Sequence, residues 1–231
     1  EIMANRPYDN IDDVLFDDDG KWKPSKMNKT CFDSLCKVEA FSSLEEFKTG
    51  AVGNHNQLHE TIVGNYDLLK KGRYGMTKTA YKKAVKQQGF VSPYIPGKLV
   101  ENMHIQDWNR STKIGFCVDL MASADEDLVF PPSIMRKIEK ANVDPITSLK
   151  GSSKGIVWLC IQEVYKKQTK NGKDYYRMKV CDNNSESCWL RVWGSFKTDP
   201  DPYTIWMAEV SSSESWGCSS STYKMKKIDL S

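Results

Sequence analysis

The chain has 231 residues, 39% of them hydrophobic and 27% charged, with 33 Lys and Arg against 30 Asp and Glu and a formal net charge of +3. That length and balance fit a globular chain of one large or two small domains. They exclude a membrane span, because no apolar run approaches the roughly 20 residues that a bilayer crossing needs, and no charged-then-apolar signal segment opens the chain.

The first residue is Glu1 rather than Met, so we expect a piece of something longer. Residues 1 to 50 open with Arg6-Pro7-Tyr8 and an acidic segment holding Asp12, Asp13, Asp17, Asp18 and Asp19. Three consecutive acids do not project to one point on a helix or a strand, and Gly20 follows them, so Asp17 to Asp19 reads as a solvated loop rather than a metal site. A helix starts near Asn28, with Phe32, Leu35 and Cys36 at i, i+3 and i+4 on one face. After a bend over Lys37 to Phe41, Ser42 or Ser43 is placed to cap a second short helix with Glu45 and Glu46 in its first turn. The expectation is a helix, a tight hairpin and a helix.

Residues 54 to 90 read as helical, from Leu58, Ile62, Tyr66 and Leu69 at near-helical spacing. A break at Gly72 to Gly75 separates them from a basic helix over Thr77 to Gln88. From Leu68 to Val100 there is no Asp or Glu, while Lys70, Lys71, Arg73, Lys78, Lys82, Lys83, Lys86 and Lys98 all fall there. Solvated helix faces usually mix both signs, so an acid-free basic run points to a polyanion. His55 and His59 stand at i, i+4 but lack the glutamate of an HExxH site and a third ligand. The seven cysteines show no CxxC spacing, and no histidine sits beside a Cys pair, so we read reduced thiols of a cytosolic protein and no zinc site.

Pro93 and Pro96 make Val91 to Gly97 a linker. Trp108, Ile114, Phe116 and Val118 supply the apolar residues that follow, and Pro131-Pro132 starts a short helix over Ser133 to Ala141. Pro145 and Gly151 mark a boundary. The predicted organisation is a helical region over 1–90, a connector over 91–150 and a β-barrel over 151–231, an α+β fold.

The last third holds five candidate strands. Two β-rich runs flank Lys170-Asn171-Gly172-Lys173, where Asn-Gly predicts a type I′ hairpin turn with φ > 0 at both central residues. Cys188 to Trp193, Thr204 to Val210 and Thr222 to Ile228 are the others. The serine-rich Ser211 to Ser221 is expected as a loop, with Trp216 and Gly217 packing back onto the barrel. Five short antiparallel strands are the count of an OB-type barrel. Alternation puts Tyr176, Met178 and Val180 on one face of a strand and Tyr175, Arg177 and Lys179 on the other. In the next strand Cys188, Leu190 and Val192 oppose Trp189, Arg191 and Trp193. The apolar faces suit a barrel interior. The mixed faces combine rings that stack on bases with cations that track phosphates, the chemistry that holds single-stranded nucleic acid, with Lys170 and Lys173 at the adjoining turn. The competing reading is an ordinary outer face covered by a neighbouring domain.

Three stretches, in order, resemble one family. Residues NRPYDNIDDV and MNKTCFDSLCKVEAFSSL are similar to the helix-hairpin-helix segment of the C-family replicative polymerases, the bacterial DNA polymerase III alpha subunits. WNRSTKIGFCVDLMAS resembles that family's connector, and the stretch around Thr169 to Lys173 its OB domain. The resemblance implies a C-terminal, DNA-binding portion of such an enzyme, from a bacterial cytoplasm or a phage-infected host. It implies contact with duplex through the helical part, where Lys37 lies, and with single-stranded template through the barrel. The family's palm aspartates and their two magnesium ions have no counterpart here, so this chain is expected to hold no catalytic residue and no cofactor, and to work with the remaining polymerase domains. Its sliding-clamp peptide has a nearest counterpart in Gln87 and Phe90. The sequence departs from the pattern at Glu39, where the family hairpin carries glycine. A second class stays open: a non-catalytic OB-fold accessory subunit whose aromatic face binds a polymerase or clamp partner. A stand-alone nuclease finds no paired carboxylates or His/Cys constellation to support it.

Overall fold

The computed structural model describes residues 8–228 except 18, 25–26, 51, 73–75, 77, 89–104 and 185. Contacts divide the chain into two units, Glu1–Asn109 and Arg110–Ser231.

In the first unit six helices are described: α1 (Ile11–Leu15), α2 (Lys29–Lys37), α3 (Glu45–Lys48), α4 (His55–Gly64), α5 (Tyr66–Leu69) and α6 (Lys78–Gln88). Asn10, Asn28 and Asn54 start α1, α2 and α4, each side-chain oxygen accepting the amide three residues on. Leu15, Phe32, Leu58, Ile62 and Leu69 are fully buried in a shared core. Trp22 lays its ring 5.6 Å from Phe32 and 5.5 Å from Tyr66, whose hydroxyl donates to the Met27 carbonyl. α3 is a single turn, and neither Ser42 nor Ser43 caps it. Leu44 holds the cap position because its side chain is buried in the core, while the Ser42 hydroxyl donates to the Glu39 carbonyl. The long helix expected from residue 54 is also cut at Asn65, whose side-chain amide donates to the Thr61 carbonyl at 3.0 Å and ends α4.

The second unit begins with α7 (Arg110–Met121), α8 (Glu126–Val129) and α9 (Pro132–Lys140). The Arg110 guanidinium donates to the carbonyls of Leu128, Val129 and Tyr203, tying α7 to α8 and to a barrel loop. Seven strands follow: β1 (Asp144–Pro145), β2 (Ser153–Gln168), β3 (Asp174–Cys181), β4 (Ser187–Trp193), β5 (Ile205–Ser213), β6 (Gly217–Ser221) and β7 (Met225–Lys227). Five of them close a barrel: β2 pairs β3, β3 pairs β4, β4 pairs β6, β6 pairs β5, and β5 returns to β2. Every barrel pairing is antiparallel except β4 with β6. Tyr176, Met178, Val180, Leu190 and Val192 fill the interior as their alternation requires. Phe196, from the loop after β4, stands edge-on to the Tyr176 and Trp206 rings and plugs one end. Outside, Ile134 and Ile138 of α9 pack on Trp158 and Cys160 of β2.

Four expectations are corrected here. The β2–β3 turn is not type I′. The Gly172 amide donates to the Thr169 carbonyl at 3.0 Å and only Gly172 in the turn has positive φ, at 73°. That is a type I turn closed by a left-handed glycine, the form that three-residue hairpin loops take. The serine-rich segment is not a loop. β5 runs through Ser213 and β6 begins at Gly217, because β6 pairs with the edges of both β4 and β5, and the Ser220 hydroxyl donates to the Glu209 carbonyl. Trp216 therefore caps a tight turn and is 75% exposed instead of packing back. The final strand is shortened to β7 by a 3-10 turn over Thr222–Lys224.

On the outer face of β5, Glu209 receives Lys154 and Lys224, each at 2.7 Å. The two ammonium groups, Lys154 first, hold its carboxyl down to about 2 from an ordinary value of 4.5. A carboxyl depressed in the fold contributes stability that is present above about pH 4.5 and is lost as pH falls toward about 2. A carboxyl NMR titration is expected to place the Glu209 midpoint near that lower value, and Lys154→Ala with Lys224→Ala to move it up toward 4.5.

Candidate nucleic-acid interface

The candidate site starts from an irregularity in β2. Ile161 pairs with Val180 and Glu163 with Lys179, so Gln162 has no partner across the ladder. Such a bulge reverses which residues face which side. Before it, Val157, Leu159 and Ile161 point into the barrel. After it Val164 packs on the core, and Glu163, Tyr165 and Lys167 turn outward.

The outward residues of three strands then fall into register. Lys167 lies opposite Tyr175, which lies opposite Trp193. Tyr165, Arg177 and Arg191 make the next row, and Glu163, Lys179 and Trp189 the third. Two aromatic pairs form within this grid. Tyr175 and Trp193 approach to 5.4 Å between ring centroids, and Tyr165 and Trp189 to 6.1 Å. The arginines occupy the middle row, Arg177 opposite Tyr165 and Arg191 between Trp189 and Trp193 along β4. The Arg177 guanidinium sits 4.2 Å over the Trp189 ring, while Arg191 lies 5.9 Å from Tyr175 and 5.8 Å from Trp193. A cation over a ring face is attracted by the quadrupole and held flat. Tyr165, Trp189 and Trp193 remain 44%, 42% and 38% exposed, so each ring keeps surface for a further planar group.

The charge of the face is uneven. Lys167, Arg177, Lys179 and Arg191 stand against Glu163 alone. Glu163 is spoken for: the Tyr165 hydroxyl donates to it at 2.6 Å and Lys179 lies 3.5 Å away. The Tyr165 hydrogen bond, with Lys179 beside it, lowers the Glu163 carboxyl below the ordinary carboxylate range, and the same carboxylate raises the Tyr165 hydroxyl. Neither arginine makes an ion pair among the described residues. Lys170 and Lys173 are exposed at the hairpin tip beside the Tyr175 row.

The six sheet residues named from the sequence are thus brought together on one face. Glu163, Tyr165 and Lys167 were missed. Their alternation is visible after the fact, but Val157, Leu159 and Ile161 set the opposite phase, and a bulge leaves no mark in residue type.

The helical unit holds the other candidates. Lys82, Lys83 and Lys86 are exposed on α6, as is Gln87, while Phe90 lies outside the described residues. Lys37 is held by Asp33 at 2.8 Å, one turn back on α2, so part of its charge is answered internally. His55 and His59 go to different carboxylates, Glu39 at 3.2 Å and Asp33 at 2.7 Å. Among the described residues no group of three or more His, Cys, Asp or Glu is placed to hold a metal ion, and no helix is long and apolar enough to cross a membrane. All seven cysteines are unbridged.

Deleting Gln162 would remove the bulge while leaving the facing of its neighbours unchanged, because Ile161 and Glu163 already pair with the consecutive residues Val180 and Lys179. The deletion is expected to keep one cooperative thermal transition at a lowered midpoint, because the bend between the β5-paired and β3-paired halves of the strand is lost while the inward and outward faces are kept. Gln162→Ala, which keeps the residue count and loses only the hydrogen bond from Ser187, is expected to cost about 1 kcal/mol.

No protein-family model matches this chain, and no curated protein matches it in sequence.

Proposed function

We propose that this chain is a DNA-binding portion of a C-family replicative DNA polymerase, with an OB-fold barrel for single-stranded template and a helix-hairpin-helix-type unit for duplex. The observation that carries the proposal is the outer face of β2, β3 and β4, where four exposed or half-exposed rings alternate with four cations against one carboxylate. Rings supply stacking that any base can use, and cations supply phosphate neutralisation. The OB reading draws support from the strand order, a five-strand closure with a parallel pairing of β4 and β6. The helix-hairpin-helix reading draws support from Glu39, which takes φ 58° at the position where the resembling hairpins carry glycine, a conformation glycine adopts freely. Exposed lysines of α6 extend the basic surface of that unit. In this reading the catalytic palm and its magnesium belong to the remaining polymerase domains, the partners are DNA, those domains and a sliding clamp, and the setting is a bacterial or phage-infected cytoplasm.

A second reading has its own observation. Ile156 lies opposite Glu209 and Tyr223 precedes Lys224, and they are 61% and 81% exposed beside the neutralised Lys154–Glu209–Lys224 cluster. Exposed apolar groups around satisfied charges suit a protein contact, as an accessory subunit bound to a polymerase or clamp partner would need.

Fluorescence anisotropy of labelled single-stranded and primer–template DNA at two salt concentrations separates them. Binding that weakens steeply with salt is expected under the first reading, because phosphate contacts release counterions. Trp189→Ala and Trp193→Ala are each expected to cost roughly 1–3 kcal/mol of single-strand affinity. Wild-type affinity in both variants would remove the face from the site, and no binding at low salt would favour the accessory subunit.

A further inference from the structure

We infer that the face selects a strand whose bases have come unstacked, seating two bases apart on two separate aromatic pairs with the intervening phosphates over Arg177 and Arg191. This rests on the single-strand reading above and adds what that strand must be. The Tyr175–Trp193 pair stands in the first row, and the second pair runs diagonally from Tyr165 in the middle row to Trp189 in the third. Trp189 and Trp193 are separated by four steps of β4, roughly 13 Å at about 3.3 Å per residue. Bases stacked in a helix rise about 3.4 Å each. Neighbouring bases that keep their mutual stacking cannot reach both pairs, and bases further apart in an intact stack have both faces covered by their neighbours; a drawn-out strand offers free base faces at that spacing.

The middle row fits the backbone of such a strand. Arg177 and Arg191 oppose each other directly across β3 and β4. Like charges in that arrangement weaken a sheet. The fold answers them with ring faces and, among the described residues, with no carboxylate. The missing counter-charge is one a phosphodiester supplies. Glu163 closes the β2 corner of the third row to phosphate, so the backbone's path follows β4 from the Trp193 end to the Trp189 end rather than crossing onto β2 at that corner.

A site of this kind charges its ligand the energy of its own base stacking, so it discriminates by how strongly the strand stacks. Adenine runs stack strongly and thymine runs weakly. The test titrates the whole chain with oligothymidylate and oligodeoxyadenylate of about eight nucleotides, within the roughly 4–16 that such a barrel covers. Oligothymidylate is expected to bind at least about fivefold more tightly, and that preference to vanish in Trp189→Ala with Trp193→Ala. Arg177→Ala with Arg191→Ala is expected to keep the preference while weakening both ligands about tenfold and flattening the salt dependence. Equal binding of the two oligomers, or a preference that survives loss of both tryptophans, overturns the inference and leaves the single-strand reading standing. Failure to bind either oligomer at low salt overturns both.

Discussion

One unpaired residue in β2 governs the barrel. β2 must lie against β5 along its first half and β3 along its second, and it has to bend sharply to do so. The extra residue, Gln162, supplies the bend and also reverses the alternation. Ile161 closes the apolar sequence that faces inward, and two residues later Glu163 opens a polar one that faces outward. The aromatic–cationic face is three strands wide only because of that reversal. Without it Tyr165 would have no Trp189 to meet, and the first row would lack Lys167.

The barrel handles positive charge in two ways on its two exposed sides. Around Glu209 the lysines are answered by a carboxylate at hydrogen-bond distance, and the local charge is largely spent. Across β3 and β4 the arginines are answered by π-faces, which hold a guanidinium in place without neutralising it. A ring-supported cation keeps its field available to an incoming anion. A salt-bridged one offers less. The difference marks the β3–β4 face as the side where an anion gains most.

Much of this was legible in residue order. The asparagine caps, the proline that opens α9, the inward Tyr176-x-Met178-x-Val180 pattern and its outward counterpart follow from local chemistry, and neighbouring strands joined by short turns left little room for another pairing. Elements set by distant packing were not legible. Leu44 takes the start of α3 from two better-capping serines because the core needs its side chain. β6 looks like a linker by composition, and it is a strand because β4 and β5 each present an open edge to it. The bulge is of the same kind: nothing about glutamine announces it, and only the two different partners of β2 demand it.

The parallel pairing of β4 with β6 carries a consequence for synthesis. Among the described residues, 217–221 are the ones that bridge β4 to β5, and they are the last of the five barrel strands to be made. Until they leave the ribosome, β2 to β5 can form only an open, curled sheet whose β4 edge is unpaired. Trp193 is opposed to Ser221 in that final seam, so the outer face acquires its far border at the moment of closure. A nascent chain would thus hold its cationic surface on an unfinished sheet until translation has passed the serine-rich segment.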